Sequence, residues 1–352
     1  MNELNDILNR IGPPDEPARN AAKARWDSIA KPLGSLGLLE DTVAKIAALR
    51  GTADVQLRNR TLLVFCADNG VVAQGVTQCG SEVTAQVAIA LAENRSTANA
   101  LARNVSCRVL PVDMGIRDFP GHPGVLDRRV RNTTADLSLG PAMTREECLL
   151  AIRRGAALAA KLAEDGADLL AVGEMGIGNT TTAAALSAAL LGLSPEETVG
   201  CGAGLDSAGL TRKREVVRRA LDRLDGREDV IDWMAKLGGL DIAGMCGAYL
   251  GAAACRVPAI IDGSISAAAA LCALRMFPEA RHAMLASHVS AEPAGKALLD
   301  ALGLKAPIDA RLHLGEGGGA LMLMPLLDMA LAVYDSGQSF ARLGIEAYQA
   351  LT

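Results

Sequence analysis

A single glutamate lies in a run of glycines near the end of the chain, in Leu314-Gly-Glu-Gly-Gly-Gly-Ala320. Glycine on both sides of Glu316 lets a ligand approach closely and permits an unusual backbone conformation. A carboxylate in such a place could accept a proton from a ring nitrogen of that ligand. His313 and Glu316 could also ligate a metal ion, but the sequence offers no apparent third ligand. The segment therefore indicates a ligand site with a candidate proton acceptor.

A second glycine-rich segment, Gly173-Glu-Met-Gly-Ile-Gly-Asn-Thr-Thr-Thr182, lies between an apolar run and a segment rich in Ala and Leu. Free N–H groups at the start of the following helix favour an anion, and Thr180–Thr182 add hydroxyl donors. A tight turn with a capping threonine is the alternative interpretation. The segment is not a P-loop, because no Gly-Lys-Ser/Thr follows, and it fits the dinucleotide fingerprint poorly.

A third cluster, Gly200-Cys-Gly-Ala-Gly-Leu-Asp206, precedes Lys213, which we expect to open a helix. The helix dipole does not favour a cation at that position, so an anionic ligand beside it would explain Lys213. A solvated charged face is the alternative, and it fits the neighbouring arginines. In Ser287-His-Val-Ser-Ala-Glu292, His288 could carry a proton or could simply be satisfied by local hydrogen bonds.

The elements that must position these side chains follow from the hydrophobic pattern. Short apolar runs predict four buried strands, at residues 61–66, 107–112, 168–172 and 257–261. Each run ends in a carboxylate followed closely by glycine, and we expect these four loops to converge on one site. Helical segments between the strands imply right-handed crossovers and an open, mainly parallel α/β sheet with helices on both faces.

Three helical predictions are specific. The first ~60 residues are helical, with breaks at Gly12-Pro-Pro14 and at residues 31–37. The capping box formed by Thr144 and Glu147 starts a helix that runs to about Glu164. The uncharged stretch of residues 242–255 is too short to cross a bilayer and indicates a buried helix.

Composition excludes several classes of function. The net charge of −5 argues against a surface for nucleic acid or anionic membranes, so any phosphate site must be local. The acidic start of the chain lacks the pattern of a signal peptide. The eight cysteines are scattered without zinc spacing, which favours reduced thiols in a cytoplasmic protein.

Six short motifs occur in order along the chain, within a wider similarity to one protein family that extends from residue 31 to about residue 334. They are Cys66-Ala-Asp-Asn-Gly70, Gly173-Glu-Met-Gly-Ile-Gly-Asn-Thr-Thr181, Gly238-Gly-Leu-Asp-Ile-Ala-Gly-Met245, Asp262-Gly263, Ser287-His-Val-Ser-Ala-Glu292 and Leu314-Gly-Glu-Gly317. Together they resemble the nicotinate-nucleotide:dimethylbenzimidazole phosphoribosyltransferase family, which makes the lower-ligand nucleotide of cobalamin. The resemblance implies a homodimer, with a Rossmann-like α/β domain at residues 56–319. It also implies a small helical domain made from residues 1–55 and about 320–352.

The resemblance also implies roles for single residues. Glu316 would be the general base, Glu174 would position the ribose, and no metal or cofactor would be needed. The phosphoribosyl group would be held by Gly176, Gly178, Asn179, Thr180, Gly202, Lys213 and Ser290. The base pocket would be walled by Cys79, Ser81, Val87 and Leu314.

This chain departs from the family around that base pocket. Thr77-Gln-Cys-Gly-Ser81 replaces the serine or aromatic followed by proline of many members, a position near Val87 is often Met or Gln in relatives, and Gly318 replaces a serine of some relatives. The acceptor could therefore be 5,6-dimethylbenzimidazole, another benzimidazole, adenine or a phenol. The motifs are also compatible with a nucleotide-binding protein without turnover and, less well, with a dehydrogenase on a doubly wound sheet.

Overall fold

The computed structural model describes residues 2–202, 204–346 and 348. Its sheet has six strands in the order β3-β2-β1-β4-β5-β6, and every neighbouring pair is parallel. The strands are β1 (Arg60–Ala67), β2 (Cys107–Gly115), β3 (Leu126–Asp127), β4 (Leu169–Met175), β5 (Ala259–Ile261) and β6 (Met284–Ala286). The predicted open parallel α/β sheet is confirmed. Strands β3 and β6, which have two and three residues, are not predicted from the sequence.

Helices occupy most of the remaining chain within the described residues. They are α1 (Asn2–Leu8), α2 (Glu16–Ser28), α3 (Leu38–Arg50), α4 (Glu82–Ala92), α5 (Thr97–Asn104), α6 (Arg145–Glu164), α7 (Asn179–Leu191), α8 (Pro195–Thr198), α9 (Ser207–Leu221), α10 (Val230–Leu237), α11 (Leu240–Ala254), α12 (Ser264–Met276), α13 (Gly295–Leu302), α14 (Gly318–Tyr334) and α15 (Phe340–Leu343). Short 3₁₀ turns lie at Gly70–Gln74 and Pro278–Ala283.

Both faces of the sheet are covered, which explains why the strands are continuously apolar. Leu63 and Phe65 of β1 face one hydrophobic core, which α6, α7, α11 and α12 complete. Leu62 and Val64 face the other core, which α2, α3, α4, α5 and α14 complete. Successive side chains of a strand point to opposite faces, so a strand between two cores needs apolar residues at every position.

The first core includes a very close contact between α6 and α11. A Cβ placed on Gly155 of α6 would lie 1.9 Å from the Gly244 carbonyl oxygen, and one on Gly247 would lie 1.9 Å from the Ile152 carbonyl oxygen. Only glycine allows the two backbones to meet in this way. All residues of α11 are buried, which confirms the predicted buried helix.

Two predicted helix starts have different outcomes. Thr144 and Glu147 form the predicted capping box, and α6 ends at Glu164 as expected. The prediction that Lys213 opens a helix is wrong, because α9 begins at Ser207. The Asp206 carboxylate accepts a hydrogen bond from the Gly209 N–H at 2.7 Å and caps the helix there. Lys213 therefore lies in the second turn of α9 and not at its start.

Helices from both ends of the chain pack together on the second face. The rings of Trp26 in α2 and Tyr334 in α14 lie 4.8 Å apart, and α3 packs against α14. The division into a large domain at residues 56–319 and a small helical domain from residues 1–55 and about 320–352 stays a prediction. Residues 1, 347 and 349–352 of that small domain lie outside the described residues. Among the helices described, none is long and apolar enough to cross a membrane.

Candidate active site

A cavity of about 290 Å³ opens beyond the carboxyl ends of the strands, where ligands bind in open α/β sheets. It is lined by the segments that follow β1, β4, β5 and β6 and by the glycine-rich turn before α14. Ten of the predicted site residues line it together: Cys79, Glu174, Gly176, Gly178, Asn179, Thr180, Gly202, Ser290, Leu314 and Glu316.

The turn between β4 and α7 forms one wall of this cavity. Gly178 precedes the first residue of α7 and has a φ of +92°, a conformation that L side chains rarely adopt. The N–H groups of Asn179 and Thr181 donate to the Gly176 and Gly178 carbonyls at 3.1 and 3.0 Å, so the Thr180 N–H is the one that this thirteen-residue helix start offers to an anion. Thr180 adds a hydroxyl group on the same wall.

Lys213 stands directly behind that wall and is fully buried. Its Nζ donates a hydrogen bond to Thr180 Oγ1 at 2.7 Å, and a Cβ on Gly202 would lie 3.2 Å from the same nitrogen. Burial lowers the pKa of the Lys213 ammonium to about 8, an effect that Glu292 opposes. No carboxylate of the described residues lies within salt-bridge distance of Lys213, so a bound anion would supply the missing counter-charge.

The segment after β6 provides the next part of the lining. The Ser290 hydroxyl accepts a hydrogen bond from the Glu292 N–H at 3.3 Å. His288 Nδ1 lies 3.0 Å from the Ser287 hydroxyl, and burial lowers the pKa of His288. A histidine satisfied by a local hydrogen bond is one of the two interpretations of His288 that the sequence leaves open. The imidazole ring also lines the cavity.

Glu316 adopts a left-handed backbone with a φ of +55°, between Gly315 and Gly317, which also have positive φ. Its N–H donates to the Glu174 carbonyl at 3.2 Å. Its Oε2 accepts a hydrogen bond from the Ala98 N–H, in the first turn of α5, at 3.3 Å. Within the described residues no hydrogen bond reaches Oε1, which leaves that oxygen available for a ligand.

Asp262, at the end of β5, holds the turn that carries Glu316. Its carboxylate accepts hydrogen bonds from the N–H groups of Gly317 (3.1 Å), Gly319 (2.7 Å) and Ala320 (3.1 Å). Burial raises the pKa of Asp262 to about 6, although these bonds lower it. The sequence places Asp262 at a strand end and in a motif, but it does not predict this anchoring function.

Glu174 is buried at the end of β4 and lines the cavity. Burial raises the pKa of its carboxyl to about 8, and the nearby acids Asp241, Asp262 and Glu316 raise it too. Hydrogen bonding to the Asn179 amide lowers it. Glu174 is therefore largely protonated at neutral pH and can donate a hydrogen bond to a ligand.

Four strand-end loops are expected to converge on one site; those after β1, β4 and β5 line the cavity, whereas the loop after β2 does not. Glu174 and Asp262 line the cavity, whereas Asp68 and Asp113 do not. Asp68 accepts hydrogen bonds from the Thr84 hydroxyl at 2.6 Å and from the Arg117 N–H at 2.8 Å. Asp113 accepts from the Arg129 guanidinium at 2.8 Å. Both carboxylates are used to fix loops beside the sheet.

The predicted base pocket also needs correction. Cys79 and Leu314 line the cavity beside Val76 and Met322, but Ser81 and Val87 are not part of its lining. Hydrogen bonding from the Ser81 side chain lowers the pKa of Asp68, so Ser81 serves that buried carboxyl. Val87 packs against the second hydrophobic core.

A metal centre is the alternative interpretation of His313 and Glu316. His313 is exposed, and its Nδ1 lies 3.0 Å from the Arg311 carbonyl. Among the described residues no group of three His, Cys, Asp or Glu side chains is arranged to hold a metal ion. The geometry therefore adds no third ligand to that pair.

Comparison with known proteins identifies relatives over nearly the full length. The phosphoribosyltransferase family matches residues 11–345. A nicotinate-nucleotide–dimethylbenzimidazole phosphoribosyltransferase of Ruminiclostridium cellulolyticum is 41% identical over 347 residues, which cover 98% of this chain and 99% of the relative. One from Chloroflexus aggregans is 43% identical over 347 residues, with 98% of each chain covered.

Solved structures agree with these sequence relatives. The crystal structure of CobT from Thermus thermophilus superposes with a TM-score of 0.90 at 40% identity, covering 94% of this chain and 100% of that one. A structure of the nicotinate-nucleotide–dimethylbenzimidazole phosphoribosyltransferase from the same organism gives a TM-score of 0.88 at 40% identity, covering 94% and 99%. The chain belongs to the nicotinate-nucleotide:dimethylbenzimidazole phosphoribosyltransferase family.

Proposed function

We propose that the protein transfers the 5-phosphoribosyl group of nicotinate mononucleotide to 5,6-dimethylbenzimidazole or a related base. The products are α-ribazole 5′-phosphate and nicotinate, and the reaction serves assembly of the cobalamin nucleotide loop. The observation that carries the proposal is that Glu316, Glu174 and the anion-binding turn at Thr180 line one cavity in a chain of this family.

The nucleotide phosphate is bound at the wall that Lys213 supports. The Thr180 N–H and the Thr180 hydroxyl supply hydrogen bonds, and the buried ammonium supplies charge. The group that holds the phosphoribosyl moiety is Gly176, Gly178, Asn179, Thr180, Gly202, Lys213 and Ser290. Glu174 contacts the ribose.

The acceptor base lies against Cys79 and Leu314, with one ring N–H directed at Glu316. Its other ring nitrogen attacks the anomeric carbon, while the bond between that carbon and the nicotinate nitrogen breaks. The electron pair of the broken bond neutralises the pyridinium, so nicotinate leaves readily and needs no acid. The proton of the acceptor passes to Glu316, and the configuration inverts from β to α. Positioning and one base are then sufficient for catalysis.

The test incubates the protein with nicotinate mononucleotide and each acceptor of a panel. Chromatography measures the nicotinate released. The panel contains 5,6-dimethylbenzimidazole, unsubstituted benzimidazole, adenine and a phenol. We expect release that depends on an acceptor, with the highest kcat/KM for a benzimidazole. No release with any acceptor would overturn the transferase proposal and favour a nucleotide-binding protein without turnover. Preference for adenine or the phenol would keep the reaction but change the substrate.

We also propose that the protein is a cytoplasmic homodimer. All eight cysteines are free, which suits a reducing compartment. An apolar face of α14 formed by Met322, Leu326, Met329 and Val333 is exposed or only partly buried, and Met329 is 66% exposed. A second copy of the chain that packs on this face would cover it.

A further inference from the structure

Two buried carboxyl groups meet beneath the cavity through one amide. Asn179 Nδ2 lies 2.9 Å from Asp241 Oδ2 and also donates to Glu174 Oε2. An amide nitrogen has two hydrogens, so each carboxyl receives one of them. Asp241 is fully buried and Glu174 nearly so. Asp241 itself does not line the cavity, and the proposed reaction gives it no role.

The charged groups that face this pair are all acidic. Glu174 faces Asp262 and Glu316, Asp241 faces Asp68, and the buried Cys66 thiol lies near both. Within the described residues neither carboxyl has a Lys, Arg or His within salt-bridge distance. The buried Asp113 is different, because the Arg129 guanidinium lies 2.8 Å from it. Two ionised carboxylates without a cation would be very costly in this environment.

A second observation concerns Asn69, which is 1% exposed. Its Oδ1 is buried and has no hydrogen-bond partner among the described residues. A Cβ on Gly239 would lie 2.7 Å from this oxygen and 2.3 Å from Asp241 Oδ1, so the two acceptors face the same point. An ionised Asp241 cannot satisfy Asn69, whereas a protonated one has an O–H to offer.

We propose that Glu174 and Asp241 share one proton in the resting protein, so that the pair carries one negative charge instead of two. The inference rests on the proposed function in one respect, the identity of the ligand. In most molecules Glu174 holds the proton and presents a carboxylic O–H, as a hydrogen-bond donor, to a ribose hydroxyl oxygen. When the proton moves to Asp241, it satisfies Asn69. The apparent pKa values of two carboxyl groups coupled in this way describe the pair and not either residue alone.

The electrostatic environment agrees with this geometry. Burial raises the pKa of Glu174 to about 8 and that of Asp241 to about 6. The pair therefore keeps one proton at neutral pH and loses it as the pH rises through about 8. Above that pH, Glu174 changes from a donor to an acceptor, and the hydrogen bond that it donates to the ribose hydroxyl oxygen is lost.

The direct test is infrared spectroscopy of the ligand-free protein, which needs no turnover. At pH 7 we expect the carbonyl stretch of a protonated carboxylic acid, which disappears as the pH rises through about 8. The band is expected to be absent in E174Q, and D113N is the matched control that keeps it. Absence of the band from the wild type at pH 7, or its survival unchanged in E174Q, would overturn the proposal.

A second measurement uses the pH dependence of nicotinate release. The wild-type rate is expected to fall above about pH 8, and the normalised profile of E174Q is expected to lack this fall. D241N removes a like charge from beside Glu174, so the fall moves to lower pH by on the order of one unit. An unchanged profile in both variants would contradict proton sharing. If the wild type releases no nicotinate, the proposed function fails while the infrared result still decides the protonation state.

Discussion

Glu316 combines a free carboxylate oxygen with a backbone that is held at three neighbouring points. We expect Glu316→Gln to lower kcat by on the order of 10²- to 10⁴-fold, because the amide cannot accept the proton of the acceptor base. Binding of nicotinate mononucleotide is expected to change little, since the amide keeps the shape of the side chain. Nicotinate release gives kcat, and calorimetry gives the nucleotide Kd. A variant with near-wild-type turnover would show that another group is the base.

Lys213 is expected to act mainly in nucleotide binding. Lys213→Met removes a buried cation that has no carboxylate partner among the described residues, so the loss of phosphate affinity is uncompensated. We expect the KM for nicotinate mononucleotide to rise by on the order of 10- to 100-fold, as for a lost charged hydrogen bond. Lys296→Met is the matched control, because it removes one exposed cation that is paired with Asp300. Equal KM values in the two variants would argue against a phosphate at Lys213.

At the scale of elements, α5 connects the helical layer to the general base. The Ala98 N–H donates to Glu316 Oε2 at 3.3 Å, which leaves Oε1 for the acceptor. Ala98→Pro removes this hydrogen at the second helix position, where proline is tolerated and where α2 already has Pro17. We expect kcat to fall about 10-fold or more, with little change in the KM for the nucleotide.

The control for that change is Thr97→Pro, one residue earlier. Ser96 is extended, so a following proline fits, and the Thr97 N–H does not contact Glu316. Circular dichroism and melting temperature report whether α5 remains folded in both variants. An equal loss of kcat in Thr97→Pro would mean that the helix, not the Ala98 amide, is responsible.

The sequence predicts most elements of the fold but only part of the site. Long strands between two cores, the capped helix α6 and the buried helix α11 each have a strong local pattern, and all are confirmed. Strands β3 and β6 are not predicted, although β5 is as short as β6. The start of α9 is predicted wrongly from the cation at Lys213, because the carboxylate of Asp206 is the group that caps the helix.

The site is harder to predict because its support comes from distant residues. Asp262 anchors the turn of Glu316 from more than fifty residues away, and Asp241 reaches Glu174 only through Asn179. Spacing along the chain carries no signal for such contacts. The location of Ser81 beside Asp68 is likewise a tertiary property, so the sequence could not exclude it from the base pocket.

For the whole molecule, the buried acids make stability depend on pH. The pKa of Glu174 is about 8 in the folded protein, against 4.5 for an ordinary glutamate, so the folded state binds this proton more tightly. That stabilisation is complete below about pH 4.5 and is lost as the pH rises towards 8. We expect the stability of E174Q relative to the wild type to increase by about 3.5 kcal/mol between pH 5 and pH 8.

The measurement is the melting temperature of both proteins across this range. The difference in melting temperature between E174Q and the wild type is expected to grow by roughly 4 °C from pH 5 to pH 8, with E174Q the more stable protein at pH 8. Burial lowers the pKa values of Lys45 and His288, so these groups change the stability with pH in the direction opposite to Glu174. Both proteins contain them, so their contributions cancel in the comparison. A constant gap would mean that Glu174 is ionised throughout.

The assembly state can be tested on the exposed face of α14. Met329 is 66% exposed on this apolar face, and Met329→Glu places a charge where a second copy would pack. Light scattering at micromolar concentration is expected to give a dimer mass for the wild type and a lower average mass for the variant. Lys296→Met serves again as a surface control. A monomeric wild type would contradict the homodimer.

The left-handed backbone of Glu316 has a consequence for engineering. An L side chain in this region costs about 1 kcal/mol relative to glycine, and the residues on both sides are already glycines. Random libraries selected only for heat resistance would therefore favour glycine at position 316 and discard the carboxylate. Stabilised variants of this protein must be selected for turnover and melting temperature together, because at this position the two properties oppose each other.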